Sequence, residues 1–373
     1  MKILFDHQTF VYQRFGGISR YFTELVACFN KIKTGSATIS ALLTDNVYLL
    51  AAENKKTFSI LNGHFPGSMT LYNTVNRFVT KWKIRNTKYD IFHPTYYDTY
   101  FLETLGNRPF VITVYDMIHE LYPNKWENQT TISHNKSVLI KKASHIIAIS
   151  EHTKQDLLHF YPEIPSSRVS VIWLGNSSSI QNTAIKKNSY SFAKPYFLFV
   201  GKRGEYKNFN LLITQIAGYL KYNEIDLIAA GGGGFTEEET ELIRKLGIET
   251  FIHVLPFVSD SGLAELYSNA IAFIFPSAYE GFGIPILEAF QSNCPVILNN
   301  ASCFPEIAGN AALYFNEEDD KSIIGALETV RNNIQARNEL IEKGNERLKL
   351  FTWNIAAQKT MEVYNSVKKQ HDR

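Results

Sequence analysis

Glu280-Gly281-Phe282-Gly283-Ile284-Pro285-Ile286-Leu287-Glu288 is the stretch around which the rest of the chain is organised. An apolar run, Ile271 to Phe275, precedes it and reads as a buried parallel strand. Pro276 and Ser277 end that strand. Gly281 and Gly283 let the backbone approach a ligand with no Cβ in the way. Pro285 suits the first turn of a helix, where its missing N–H is not needed, and that helix is expected to run to about Asn293. The segment therefore predicts strand, glycine turn and helix N-terminus. Free N–H groups and a partial positive charge over the carboxyl end of a sheet favour phosphate.

Glu280 in the loop and Glu288 in the helix are repelled by phosphate, so hydroxyl groups suit them better. A nucleotide sugar carries hydroxyls on both sides of its diphosphate. The plainer reading makes both carboxylates the solvated ends of an ordinary βα unit.

Composition sets the bounds. A length of 373 residues suggests two domains. Hydrophobic residues at 45% and charged residues at 20% describe a globular chain with ample core. A net charge of +2 gives no case for a nucleic-acid partner. Cys28, Cys294 and Cys303 have no metal-ligand spacing, and the odd number argues against a disulfide framework. Met1 to Asp6 is too short in apolar length for a signal peptide. With no apolar run of about 18 residues to span a membrane, the expectation is a cytoplasmic protein.

In the first half, Lys2 to Asp6 reads as a strand, and Tyr21, Leu25, Val26 and Phe29 form one face of the next helix. Gly16 and Gly17 between them read as the phosphate or substrate turn of a doubly wound sheet, or as a plain tight turn. The lack of G-x-G-x-x-G counts against a dinucleotide site. Arg14 and Arg20 are either anion partners or surface residues. From Leu71 to Asn86 the residues Leu71, Val75, Phe78, Val79 and Trp82 recur at helical steps, with Lys81, Lys83, Arg85 and Lys88 clustered at the end. The stripe reads as core-facing, its cations favoured by the helix dipole. The sharper reading is a membrane-surface patch that meets a lipid-linked acceptor.

Tyr89 to Pro94 predicts a strand, after which His93, Tyr96, Tyr97 and Asp98 lie at its carboxyl edge. Phe110 to Val114 is the next strand, and Tyr115-Asp116-Met117-Ile118-His119-Glu120 leaves it at the same edge. Asp116 is a site candidate or an end-of-strand carboxylate. His145 to Ile149 predicts a strand and Ser150 a helix N-cap. Val169 to Asn176 reads as the last strand of this half, and the polar run to Asn188 as a linker.

The second half opens with the apolar strand Tyr196 to Val200. Lys202, Arg203 and Lys207 follow in a glycine-containing loop before a helix, where cations would offset a diphosphate. Ile225 to Ala230 predicts a strand, and Gly231 to Gly234 a mobile turn. Ile252 to Val258 reads as strand and loop, Ser259 to Ala270 as a helix, and Pro295 to Leu298 as a strand.

The two glutamates, with seven residues between them, Gly-Phe-Gly after the first and Phe275-Pro276-Ser277 before it, resemble the E-x7-E signature of the GT4-type retaining glycosyltransferases. This is the glycosyltransferase group 1 family of GT-B fold, and the likeness is to its mannosyltransferases. Ser150 to Asp156 is similar to its A-x-S-x-x-T-K-x-D segment, Gly201 with Lys207-Asn208 to its V-G-…-K-N loop, and Pro305 to Gly309 to its P-E-x-x-G segment. The resemblance implies two Rossmann-like, doubly wound α/β domains facing a cleft. Residues 1–176 would form an acceptor-side domain and 177–352 a nucleotide-sugar domain, with a helix of about 353–373 crossing back to the first.

For the site, the resemblance implies that Glu288 holds ribose hydroxyls and Glu280 donor-sugar hydroxyls. Backbone N–H groups of Phe282, Gly283 and Ile284 would meet phosphate or sugar. Arg203 and Lys207, with Lys202 as an alternative to Arg203, would stabilise the leaving diphosphate. Gly16 and Gly17 match the N-terminal glycine loop. Many relatives carry T-V-H-D where this chain has Tyr115 and Asp116, so a role for that histidine does not carry over. No D-x-D is present, and no metal or other cofactor is expected beyond a donor such as GDP-mannose or a UDP-hexose. The implied function is retaining transfer of a hexose to a glycan or lipid-linked acceptor, with front-face attack as a hypothesis. A phosphorylase, a sucrose-type synthase and a non-catalytic nucleotide-sugar-binding protein are the alternatives.

Overall fold

The computed structural model describes residues 1–31, 35–52, 68–123, 125, 129–176, 190 and 192–372. The chain divides into two compact units, residues 1–175 with 353–373, and residues 176–352. The expected linker beyond Asn176 lies outside the described residues.

The first unit carries two three-stranded parallel sheets. β1 (Lys2–Phe5), β2 (Ser36–Ile39) and β3 (Ile91–His93) lie in the order β2-β1-β3. β4 (Val111–Val114), β5 (His145–Ala148) and β6 (Val169–Val171) lie in the order β4-β5-β6. A parallel bridge between Phe92 and Phe110 links the two sets. β2 has alternating burial and only four residues, a weak pattern that the sequence reading passed over. The strand expected over Val169 to Asn176 ends at Val171.

Helix Gly17–Lys31 buries Tyr21, Phe22, Leu25, Cys28 and Phe29. The C-terminal helix Trp353–His371 packs beside it, with Trp353 6.0 Å from the Tyr21 ring and Tyr364 6.1 Å from the Phe29 ring. The Tyr364 hydroxyl lies 2.6 Å from Nδ1 of the buried His93.

Helix Ser68–Asn86 corrects the core-facing stripe. Its buried residues are Ser68, Tyr72, Asn76, Thr80 and Ile84, while Leu71, Phe78 and Trp82 are exposed. Hydrogen bonding explains the inversion. Asn76 Oδ1 accepts from the N–H groups of Leu42 and Leu43, and its Nδ2 donates to Leu43 O. The Thr80 hydroxyl donates to Ser40 O and sits 3.1 Å from His7 Nδ1. Backbone groups of Ser40, Leu42 and Leu43 that would be orphaned when buried are satisfied by this helix, and their cost if unpaired outweighs the pull of an apolar stripe.

The second unit is one six-stranded parallel sheet. Its strands are β7 (Tyr196–Val200), β8 (Asp226–Ala230), β9 (Ile252–Leu255), β10 (Phe273–Phe275), β11 (Val296–Asn299) and β12 (Leu313–Phe315). The order is β12-β11-β10-β7-β8-β9. Counted from β7, this is the doubly wound order whose direction of winding reverses between the first and fourth strands. The strands are near-continuous apolar runs because helices cover both faces. Phe197, Phe199, Leu227, Ile274 and Ile297 form the buried centre with Phe209, Ile213 and Ile216 of helix Phe209–Asn223.

Candidate active site

In a doubly wound sheet the loops leaving the two strands at the reversal diverge and leave a crevice at the carboxyl edge. In the second unit those strands are β7 and β10, and their loops carry Lys207 and Glu280. The two side chains form a direct ion pair, each largely shielded from water. Asn208, next to Lys207, has φ +53°, a left-handed conformation that asparagine tolerates. Its Nδ2 donates to Pro276 O at 3.2 Å and to the Glu317 carboxylate. Glu317 also accepts from Asn299 Nδ2 at 2.9 Å. Glu317 thereby ties the β7 loop to the end of β11, and Asn208 and Asn299 hold the β10 loop through Pro276 O and Ser277 O. It was missed from sequence because it sits in a polar turn without a motif.

Ser302 fixes Glu280 from the other side, bonding both its backbone N–H and its carbonyl. Gly283, at φ +87°, starts the helix Ile284–Gln291, with Pro285 in its first turn. A Cβ on Gly283 would stand 3.0 Å from Ile286 Cδ1 and 3.3 Å from Phe304. The Phe282 side chain is buried against Phe351, so only its backbone faces the turn. Glu288 lies on the same helix beside Tyr267, whose phenol is held well above its usual range, by burial first and by the Glu288 carboxylate second.

Arg203 is engaged within the second unit. Its Nε donates to Glu239 at 3.0 Å, Nη1 to Gly231 O at 3.0 Å, and Nη2 to Gly233 O at 3.1 Å and to Gly234 O. The guanidinium also lies over Phe209 and Phe235. It staples the glycine run, which packs so closely on the β7 loop that a Cβ on Gly232 would stand 2.6 Å from Gly201 O. Lys202, beside it, is exposed.

The first unit has its own reversal, between β1 and β3. Asp6 is buried there and accepts from Thr95 N–H at 2.8 Å, the Thr95 hydroxyl at 2.7 Å and Gln8 Nε2 at 2.7 Å. These bonds join the β1 and β3 loops. Above them is a cavity of about 520 Å³ walled by Tyr12, Gln13, Tyr96, Asp98 and Asn135 among others. The Tyr12 and Tyr96 rings meet edge to face at 6.2 Å. Asp98 is paired with Arg77. Aromatic faces with amides and a carboxylate are the usual furniture of a small polar-ligand site. Tyr96 and Asp98 were placed at this edge from sequence, whereas Tyr12 and Gln13 were not.

Gly16 is explained by Gln13, whose Oε1 would lie 2.2 Å from a Cβ on Gly16. That oxygen accepts from Ser19 N–H at 3.2 Å, and Gly17 begins the helix. Asp116 caps a turn through Ile118 N–H at 3.1 Å, and its carbonyl accepts from the buried Lys136. Tyr115 is buried, donating to Thr95 O at 3.0 Å. His119 stands nearby, its basicity lowered by burial and partly restored by Asp116.

Comparison with known proteins completes the picture. The family described as glycosyltransferase family 4 matches residues 15–175, and that described as glycosyl transferases group 1 matches residues 181–347. The chain is a hexosyltransferase of the GT4-type, group 1 glycosyltransferase family. A Salmonella typhimurium relative, O-antigen chain mannosyltransferase RfbU, is 31% identical over 59% of this chain and 60% of its own length. The Escherichia coli O-antigen chain mannosyltransferase B is 26% identical over 98% of this chain and 99% of its own. Among solved structures, sucrose-phosphate synthase from Thermosynechococcus elongatus superposes with TM-score 0.73 at 16% identity, covering 98% of this chain and 99% of that one. Anabaena HepE in complex with UDP and glucose gives 0.72 at 18% identity, covering 98% and 100%. The glycosyltransferase thus has the GT-B fold, with parallel sheets in two Rossmann-like halves.

Proposed function

We propose that this glycosyltransferase moves mannose, with retention, from a nucleoside-diphosphate donor to a hydroxyl of a glycan or lipid-linked acceptor in polysaccharide assembly. The observation that carries the reading is the Lys207–Glu280 pair at the strand reversal of the second unit, beside the Gly283 turn. A cation and a carboxylate side by side match a ligand in which phosphate and sugar hydroxyls are adjacent. Both the Salmonella and the Escherichia relatives are named mannosyltransferases, which favours mannose and hence GDP-mannose as donor.

In this reading Lys207 turns from Glu280 to the diphosphate, and exposed Lys202 adds charge where Arg203 is engaged. Glu280, released, accepts from sugar hydroxyls, and Glu288 from the ribose. Backbone N–H groups of Phe282, Gly283 and Ile284 meet phosphate or sugar. As the bond from the anomeric carbon to phosphate breaks, negative charge grows on the diphosphate, and the two lysines stabilise it. The acceptor hydroxyl gives its proton to the departing phosphate oxygen. Asp116, with the Gly16 and Gly17 turn, belongs to the acceptor-side unit. The cavity beside Tyr12, Tyr96 and Asp98 would take an acceptor sugar, its apolar face on a tyrosine ring and its hydroxyls on Gln13 and Asp98.

The test is transfer from radiolabelled GDP-mannose to lipid-linked glycan extracted from the source cells, with millimolar EDTA in one arm. Label entering the glycan in both arms supports the reading. Label from UDP-glucose but not GDP-mannose would overturn the donor, and loss of transfer with EDTA would overturn the metal-free scheme.

A further inference from the structure

Lys207 and Asn208 close the loop that leaves β7. A single 3-10 turn, Glu205–Lys207, is followed by helix Phe209–Asn223, and Asn208 is the residue between them. Asparagine is a favoured N-cap because its side chain accepts from the first N–H groups of a helix. The Asn208 side chain makes no such bond, and its backbone takes φ +53° and ψ +28°. Its amide donates instead to Pro276 O and to the Glu317 carboxylate. The same carboxylate oxygen accepts from Asn299 Nδ2 at 2.9 Å, and the Glu317 carbonyl accepts from Gln215 Nε2 of the helix at 2.8 Å. Three side-chain amides thus converge on Glu317. Hydrogen bonds to an ionised acceptor are stronger than neutral ones. Negative charge beside a helix N-terminus is also favoured by the dipole.

We propose that Glu317 is a positioning residue for donor binding, acting through Asn208 on Lys207. The inference rests on the donor reading above and adds a residue to it. A lysine carries its charge on a flexible four-carbon stem, so the place its ammonium reaches depends on where the stem starts. The Lys207 stem starts one residue from Asn208, whose left-handed backbone is uncommon for any residue but glycine. The bonds to Glu317 and Pro276 O hold that conformation. The Lys207 ammonium lies 4.9 Å from the centre of the Tyr206 ring and 5.7 Å from that of Phe275, and it pairs with Glu280. Without the Glu317 carboxylate the Asn208 side chain is released to cap the helix, its commoner role. The turn then relaxes, and Lys207 loses the fixed root that aims it at the strand reversal.

Two measurements on the full chain test this: titration calorimetry with GDP, and mass spectrometry of Lys207 acetylation by acetic anhydride without nucleotide. Glu317→Ala is expected to weaken GDP binding about tenfold, the middle of the range for residues sharing one hydrogen-bond network. Glu317→Gln keeps an oxygen that can accept from both amides and should restore most of the affinity. Asn208→Gly allows the left-handed backbone but does not anchor it, so it should fold and still lose affinity as Glu317→Ala does. In a Lys207→Ala background, Glu317→Ala should change GDP affinity no further, because its effect runs through that lysine. A merely structural role would add to the Lys207→Ala loss. Lys207 should be acetylated several-fold faster in Glu317→Ala than in wild type as its ammonium leaves Glu280. Additive losses in the double variant would overturn the proposal. So would wild-type GDP affinity with wild-type Lys207 acetylation in Glu317→Ala, or in Asn208→Gly should Glu317→Ala fail to fold. GDP binding that needs Lys207 but not Glu317 would sink this inference alone. Faster Lys207 acetylation in Glu317→Ala, with no GDP binding by wild type, would sink the donor reading and leave the positioning of Lys207 standing.

Discussion

Arg203→Met separates two roles for that arginine. The Arg203 side chain is 3% exposed and Glu239 is 7% exposed. The guanidinium holds Glu239 and three glycine carbonyls of the 231–234 run. Replacement with Met keeps apolar bulk but leaves a buried carboxylate without its cation. Breaking one side of such a pair costs about 3–5 kcal/mol. For a unit of this size each kcal/mol moves Tm by about 2–4 °C, so the transition of the second unit should fall by roughly 6–20 °C. Glu239 has a second task, capping helix Glu237–Leu246 with Thr236, and Gln at that position preserves a capping box. Arg203→Met with Glu239→Gln should therefore recover part of the loss, since no buried charge is left unpaired. Scanning calorimetry on the ligand-free protein reads both variants. A ligand-free melt of Arg203→Met equal to wild type, together with lost donor binding, would refute the reasoning and return Arg203 to the diphosphate.

Three further outcomes are expected. Gly283→Ala places a side chain at φ +87° and 3.0 Å from Ile286 Cδ1, and should cost about 1–2 kcal/mol in urea melts while weakening donor binding. Asn76→Ala leaves the Leu42 and Leu43 N–H groups and Leu43 O unpaired, and should cost about 2–4 kcal/mol, whereas Phe78→Ser on the same helix should be near neutral. His93 is fully buried and its pKa is lowered to about 3. The folded state therefore binds fewer protons than the unfolded one between pH 3 and the usual imidazole value. Stability contributed by His93 is present above that value and declines as pH falls, by about 2 kcal/mol between pH 6.5 and 5. His93→Asn should flatten that part of the pH–stability curve.

The strand–turn–helix around Gly283 was legible because each residue there obeys a local rule. Phe273–Phe275 is apolar, Gly283 takes positive φ and Pro285 sits in the first turn. Ser150 capping through Thr153 N–H was legible for the same reason. Helix Ser68–Asn86 was legible in position but not in orientation. Its spacing shows a stripe, but only tertiary hydrogen bonding shows that Asn76 and Thr80 outcompete Phe78 and Trp82 for the interior. The partners of Arg203 were illegible on similar grounds. Charge in a glycine loop reads as a phosphate ligand until Glu239 and the glycine carbonyls, 28 to 36 positions away, are seen to occupy it. Lys207 and Glu280 were both picked, but their pairing across 73 residues depends on the strand order that makes β7 and β10 neighbours.

The central claim is that a nucleoside-diphosphate mannose binds at that strand reversal. Its most direct test is a thermal-shift titration with GDP-mannose, GDP and UDP-glucose on wild type, Lys207→Ala and Glu288→Gln. A ligand that binds only the folded protein raises the midpoint by mass action, about 2.7 kcal/mol at a hundred times Kd. The account predicts a shift with GDP-mannose and GDP in wild type, strongly reduced in Lys207→Ala and Glu288→Gln. No shift with any nucleotide, or a GDP-mannose shift of full size in both variants, would contradict it.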